Sequence, residues 1–420
     1  MKITALLILV ALASYAVCQN CAGTSTGYPP LNDLGTGLWK GAQGGLYPSG
    51  LNTRPVAHTS AGLQIASHLQ PLDTAGNADS AKGKIVLLSI GMSNTTMEFQ
   101  AFLPMESAYS AKNPKLVCVD GAQGGQAIVQ ILPPDANFWT VILTRLAAQG
   151  LTAGQVQVVW FKQAEMNPAD TSFPGYADSL KVKFKSAMRL LKIKYPNLVL
   201  CYLSSRIYGG YSTGTLNPEP YAYYSGWSVK RLIEDQINGD TALAYSGANA
   251  RSPWLSWGPY LWADGTTARN DGLTWICPDD FNTDGTHPGA SGRQKVAQML
   301  LDFFSTEQTT MPWFLSAQSR AESRQEPDAA VFNAFPNPLG AATRITFEAP
   351  ASARGTTTIE LFDLQGRKLL TLFRNAGTEG RHHVTFEGLD AGGRVLKNGV
   401  YFCRFKAGAW GRTIKIAMMR

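Results

Sequence analysis

The feature that most constrains this chain is an alternation of apolar, β-branched runs with longer amphipathic stretches between residues 84 and 304. Strands are expected over 84–90, 115–119, 156–161 and 198–204, and helices over about 95–109, 136–149, 176–194, 225–237 and 291–305. Alternation of this kind predicts a parallel sheet with helices on both faces. In open sheets of that type the ligand sits outside the carboxyl ends of the strands. Every polar segment of interest here falls at such an end.

The first run stops at Gly91-Met92-Ser93-Asn94, which reads as a strand, a tight turn and a helix start. A serine in that turn lies near helix-terminal N–H groups, which favour developing negative charge. Taken alone, Ser93 reads as a helix cap. The second run ends in Asp120-Gly121-Ala122-Gln123-Gly124-Gly125-Gln126. Glycines after a strand let backbone N–H groups approach a ligand closely. No Gly-Lys-Ser/Thr follows, which argues against a phosphate-binding loop. The third run ends in Lys162-Gln163-Ala164-Glu165. Asp284-Gly285-Thr286-His287-Pro288 stands just before the last helical stretch. Ser93, Asp284 and His287 are together the parts of a nucleophilic triad.

In order and placement these four blocks resemble the SGNH (GDSL-like) hydrolases. Gly91-Met92-Ser93-Asn94 and Gln163-Ala164-Glu165 are similar to the Gly-Gln-Ser-Asn and Gln-Gly-Glu of sialate O-acetylesterases and some acetyl-xylan esterases. Met92 and Ala164 are the departures from that pattern. The resemblance implies a flavodoxin-like three-layer α/β/α sandwich over residues 84–315. It implies catalysis by Ser93, His287 and Asp284, with an oxyanion hole of the Ser93 N–H, the Gly125 N–H (Gly124 as second choice) and the Gln163 amide. Asn94, Gly124 and Glu165 are then candidates for substrate contact. It implies no metal or cofactor, and an ester substrate, foremost an acetylated carbohydrate. A lipid or aryl ester is the enzymatic alternative, and a non-catalytic glycan-binding surface protein is the alternative from another class.

An aromatic-rich insert is expected over 205–280, including Tyr208, Tyr211, Tyr223, Trp227, Trp254, Trp262 and Trp275. Such residues either stack on sugar rings or apolar groups from loops above the sheet, or pack a small core of their own. Arg206, Arg251 and Arg269 either meet an acidic substrate group or are solvated or paired.

Before the alternating region, residues 1–18 read as a signal peptide, with Lys2 ahead of an apolar core and Ala16-Val17-Cys18 of small-x-small form. Tyr15-Ala16-Val17-Cys18 matches a lipobox poorly. This makes the expected destination secreted or cell-surface. Residues 19–83 read as a loop-rich lead-in, with His58 and His68 as surface or packing residues. Of six cysteines, 18 would be lost on cleavage, 118 and 201 lie in strand-like runs and read as buried thiols, and 21 and 277 are open to a disulfide that the sequence does not fix.

After a polar linker at 316–328, the period changes to two. Short strands are expected over 331–335, 343–348, 357–363, 368–373, 382–386, 399–405 and 411–418, which argues a β-sandwich over 329–420. Residues 320–420 carry 15 Lys/Arg against 9 Asp/Glu, so +6 of the net +7 lies there. No dense basic cluster interleaves with aromatics, so nucleic acid is not an expected partner. Phe335-Pro336-Asn337-Pro338, Leu361-Phe362-Asp363-Leu364-Gln365-Gly366-Arg367, Asn398-Gly399-Val400-Tyr401-Phe402 and the basic end resemble the C-terminal sorting domain of type IX secretion. The resemblance implies an immunoglobulin-like sandwich that engages secretion machinery. A sugar-binding module is the alternative.

Overall fold

The computed structural model describes residues 20–319, 332–335, 337–340, 342–348, 356–363, 366–376, 381–408 and 410–418. The expected signal peptide and most of the expected linker lie outside these. The chain divides into two compact units, Met1–Ala317 and Gln318–Arg420.

The first unit is a mixed α/β domain on a five-stranded parallel sheet. Its strands are β1 (Ile85–Gly91), β2 (Leu116–Asp120), β3 (Val156–Lys162), β4 (Leu200–Leu203) and β5 (Trp254–Trp257), in spatial order β2-β1-β3-β4-β5. Every residue of β1 and of β3 is buried, so both faces of the sheet are covered. That is why these strands read as continuous apolar runs rather than alternating ones. The covering helices are α1 (Val56–Ser67), α2 (Ser93–Ala108), α3 (Asn137–Ala147), α4 (Gly175–Lys194), α5 (Tyr221–Ile237) and α6 (Ala290–Thr306). α2 packs on α6, and α4 on α5. The strand order reverses at β1 and β3, and a crevice opens at the carboxyl ends of such a pair.

Two elements depart from expectation. β5 lies inside the stretch read as an insert, because four residues with two tryptophans carry too little pattern to be seen as a strand. α1 lies inside the stretch read as loops. Its inward positions include Gly62 and Ala66, so its apolar face is faint in the sequence. Packing on β5 holds it. The His58 ring stacks on Trp254 at 4.8 Å, and a Cβ on Gly62 would come within 2.4 Å of the same indole.

The aromatic residues of 205–280 form core. Tyr208, Tyr211, Tyr223, Trp227, Trp254, Trp262 and Trp275 are all buried. Stacking on sugar rings, one of the two expected roles, is therefore not open to them. A disulfide joins Cys21 to Cys277, and Cys118, Cys201 and Cys403 are buried thiols. Next to Cys21, Asp264 accepts hydrogen bonds from the N–H groups of Thr26 (2.6 Å) and Gly27 (3.0 Å) and the Thr26 hydroxyl (2.7 Å).

The second unit is antiparallel throughout its described strands. β6 (Phe332–Phe335), β7 (Thr343–Glu348) and β10 (Arg381–Phe386) form one sheet in order β10-β7-β6; β8 (Thr356–Phe362), β9 (Lys368–Ala376), β11 (Gly399–Ala407) and β12 (Trp410–Met418) form another in order β9-β8-β11-β12. Burial alternates along β7 and β11, as for strands with one face on a core. Phe347 of the first sheet meets Phe373 (4.8 Å) and Phe405 (5.4 Å) of the second, so the two sheets share one core.

Candidate active site

The site is built at the reversal point. β1 ends at Gly91, whose tight fit requires the absence of a side chain: a Cβ there would lie 2.4 Å from the Lys162 carbonyl and 2.2 Å from Thr95 Oγ1. Thr95 Oγ1 donates to that same carbonyl at 2.8 Å, which seats the start of α2 on the end of β3. Ser93 is the first residue of α2. Its N–H therefore has no intrahelical partner.

The loop from Asn282 to Pro288 brings the other two residues. Asp284 Oδ1 accepts the backbone N–H groups of Thr286 and His287, each at 2.9 Å. Gly285 has φ +64°, and a Cβ on it would strike the Tyr211 carbonyl at 1.9 Å, so only glycine fits this turn. His287 Nδ1 lies 2.5 Å from Asp284 Oδ2, and His287 Nε2 lies 2.8 Å from Ser93 Oγ. An ionised carboxylate only accepts, so the proton sits on Nδ1 and Nε2 is left to accept from the serine. Burial raises the Asp284 carboxyl, but the N–H groups of His287 and Thr286 and the His287 ring outweigh it and hold it below the usual aspartate value.

These residues open on a cleft of about 220 Å³. Met92, Ala127, Met166 and Leu216 give it apolar walls, and Gly125, Asn94, Glu165, Arg206 and Asn217 join Ser93 and His287 around it. Gly125 has φ +72° with open space where a side chain would stand, and its N–H has no acceptor among the described residues. Gly124 lies beside Ser93 without lining the cleft: a Cβ on it would be 3.9 Å from Ser93 Cβ.

Gln163 is not brought to the cleft. It is buried, and its amide donates to the Gln126 carbonyl at 2.9 Å, tying the end of β3 to the glycine loop after β2. The side-chain amide of the expected third oxyanion donor thus braces, with one of its two N–H groups, the loop that carries Gly125. Asn94 reaches the cleft, but its amide donates to the Thr286 carbonyl at 2.9 Å. Glu165 also reaches it, with its carboxylate paired to Lys183. Asp120, unmarked in the sequence, organises the loop after β2: it accepts from Ser89 Oγ (2.7 Å), the Ala122 N–H (3.1 Å) and Gln100 Nε2 (3.2 Å). Asn217 carried only a turn signal, its Asn-Pro pair, and sits at φ +58°.

No protein-family model and no curated protein matches the chain. Among solved structures, dimeric latent PorU from Porphyromonas gingivalis is similar at 18% identity and TM-score 0.19, covering 22% of this chain and 9% of that one. PorZ, a surface component of the type IX secretion system of the same organism, gives 18% identity and TM-score 0.17 over 25% of this chain and 13% of that one. The salicylyl-acyltransferase SsfX3 of a tetracycline biosynthetic pathway gives 15% identity and TM-score 0.28 over 53% of this chain and 54% of that one. The chain thus spans about a tenth of the first two and about half of the third. At these TM-scores the likenesses decide neither fold nor function.

Proposed function

We propose that the first unit is a serine hydrolase of carboxylic esters. The observation that carries this is the unbroken chain Ser93 Oγ, His287 Nε2, His287 Nδ1, Asp284 Oδ2, with steps of 2.8 and 2.5 Å, at the mouth of a cleft. Ser93 Oγ attacks the ester carbonyl carbon and its proton passes to His287 Nε2, while Asp284 stabilises the imidazolium. The carbonyl oxygen takes up negative charge against the N–H groups of Ser93 and Gly125. His287 returns the proton to the departing alcohol, and water then releases the acyl group by the same route.

The strand order 2-1-3-4-5 is that of flavodoxin-like sheets, and it supports an SGNH-type reading of the fold. The small cleft favours a short acyl group such as acetyl. An exported chain is supported by the Cys21–Cys277 disulfide, since such bonds persist in oxidising compartments. For the second unit we keep the reading as an immunoglobulin-like sorting module for secretion.

The test is hydrolysis of p-nitrophenyl acetate by the chain beside Ser93→Ala and His287→Ala. Each variant should fall by about three orders of magnitude or more. Full activity in Ser93→Ala would sink the reading.

A further inference from the structure

Three residues beyond the end of β4, Arg206 turns into the cleft wall that Ser93 and His287 share. It is 2% exposed. Its backbone N–H is fixed on Ser225 Oγ at 2.9 Å. Its Nε has no hydrogen-bond partner, and no salt bridge holds its guanidinium among the described residues. Glu98, Glu219 and Asp284 attract it through space, yet its buried Nε is left without a hydrogen bond, which is costly. The other arginines of this region have direct partners or solvent. Arg269 is paired to Asp271 and donates to the Tyr260 and Trp262 carbonyls at 2.7 and 3.0 Å, and Arg251 is exposed.

The acids near Arg206 are already engaged. Glu98 forms a fully buried pair with Lys162 at 2.5 Å. Asp284 is held by His287. Glu219 accepts the N–H groups of Gly209, Tyr223 and the Trp262 indole at 2.7–3.0 Å. Glu165, in the cleft wall, is paired to Lys183. None of these acids accepts a hydrogen bond from the Arg206 guanidinium, which borders the cleft with its donors unpaired among the described residues.

We propose that the ester this site takes carries a carboxylate, and that Arg206 recognises it; this rests on the esterase reading above. The planar fork of a guanidinium matches a carboxylate with two parallel hydrogen bonds. Arg206 is thereby a specificity residue, and the apolar walls at Met92, Ala127, Met166 and Leu216 hold the uncharged remainder.

The test compares kcat/KM of the full chain for a neutral ester, p-nitrophenyl acetate, with two anionic ones. Mono-p-nitrophenyl succinate carries the carboxylate on the acyl side, and 4-acetoxybenzoate carries it on the alcohol side. The wild type should prefer one anionic ester, and which one places the carboxylate. In Arg206→Met the ratio of anionic to neutral kcat/KM should fall about 100-fold, the loss that truncating one partner of a buried charge pair brings. In Arg206→Lys, which keeps the charge but not the fork, the ratio should fall about tenfold; this variant carries the test if the first does not fold. A ratio unchanged by both substitutions, or a wild type without anionic preference, overturns the proposal. Succinate titrated calorimetrically into Ser93→Ala separates the two readings. Binding retained, in a chain whose wild type hydrolyses none of the three esters, would remove the esterase reading and leave the anion site.

Discussion

The side-chain amide of Asn94 donates to the main-chain carbonyl of Thr286 at 2.9 Å. The two residues adjoin Ser93 and His287. A single hydrogen bond thus clamps the start of α2 to the loop that carries the histidine, next to the 2.8 Å contact between Ser93 and His287. Asn94→Ala should lower kcat on p-nitrophenyl acetate by about 100-fold, the scale of a small misplacement of reacting groups. KM should stay within about twofold, since the clamp acts on geometry and not on ground-state binding. Steady-state kinetics with a melting curve checks this. A rise in KM at constant kcat would return Asn94 to the substrate-contact role.

Asp284 gives a pH signature. Its folded carboxyl is held below the ordinary value, while in the unfolded chain it titrates near pH 3.9. The stability it contributes is therefore fully present above that point and is lost as pH falls through the folded value. Asp284→Asn should melt below the wild type at pH 7, and the gap should narrow as pH falls below the unfolded value through the lower folded one. Its activity at pH 7 should fall by about 10⁴-fold, because the neutral amide no longer fixes the proton on Nδ1. A melting gap constant across the range would remove the stabilising role.

The central strands, the helices after them and the meeting of Ser93, His287 and Asp284 were legible because each is written locally. Apolar runs bounded by glycine mark fully buried strands, and the Asp-Gly-Thr-His turn contains its own hydrogen-bond donors and acceptor. What was not legible depends on contacts distant in sequence. β5 is four residues recognisable only beside β4, and α1 is held by an indole about 200 positions away. Gln163 stands at the right strand end with the right chemistry, yet its amide is taken by the Gln126 carbonyl.

This yields a discriminating measurement. Removing a direct oxyanion donor costs about 10²–10³ in kcat. Gln163→Ala should cost no more than about tenfold, through looser placement of the glycine loop. A loss of 10³ at constant melting temperature would restore Gln163 to the oxyanion hole.

Lys162 and Glu98 lie beneath this site with both side chains fully buried. Burial pulls the Lys162 ammonium down to about 8, with the Glu98 carboxylate opposing, and burial raises Glu98. Lys162→Met strands the carboxylate and should cost about 3–5 kcal/mol in urea unfolding, because breaking one half of a buried pair leaves an uncompensated charge. Glu98→Gln combined with Lys162→Met should cost clearly less than the two single losses added together. Additive losses would mean that the two charges stabilise the fold independently.

The Cys21–Cys277 bond closes a loop of sequence separation 256. A cross-link of that span acts mainly by restricting the unfolded chain, and losing a native one costs about 2–5 kcal/mol. Cys277 is seven positions before Asp284, so the bond also anchors the far end of the segment leading to the loop that carries His287. Asp280, inside that segment, accepts the Ile276 N–H (2.8 Å), Ser291 Oγ (2.9 Å) and Lys295 Nζ (2.5 Å), and with the Gly285 turn it holds the segment without the disulfide. Cys21→Ser with Cys277→Ser should therefore lower the urea midpoint markedly while leaving kcat on p-nitrophenyl acetate at 25 °C within about twofold. A fall in kcat of more than tenfold in the folded variant would mean that the disulfide, and not the Asp280 hydrogen bonds, sets the position of His287.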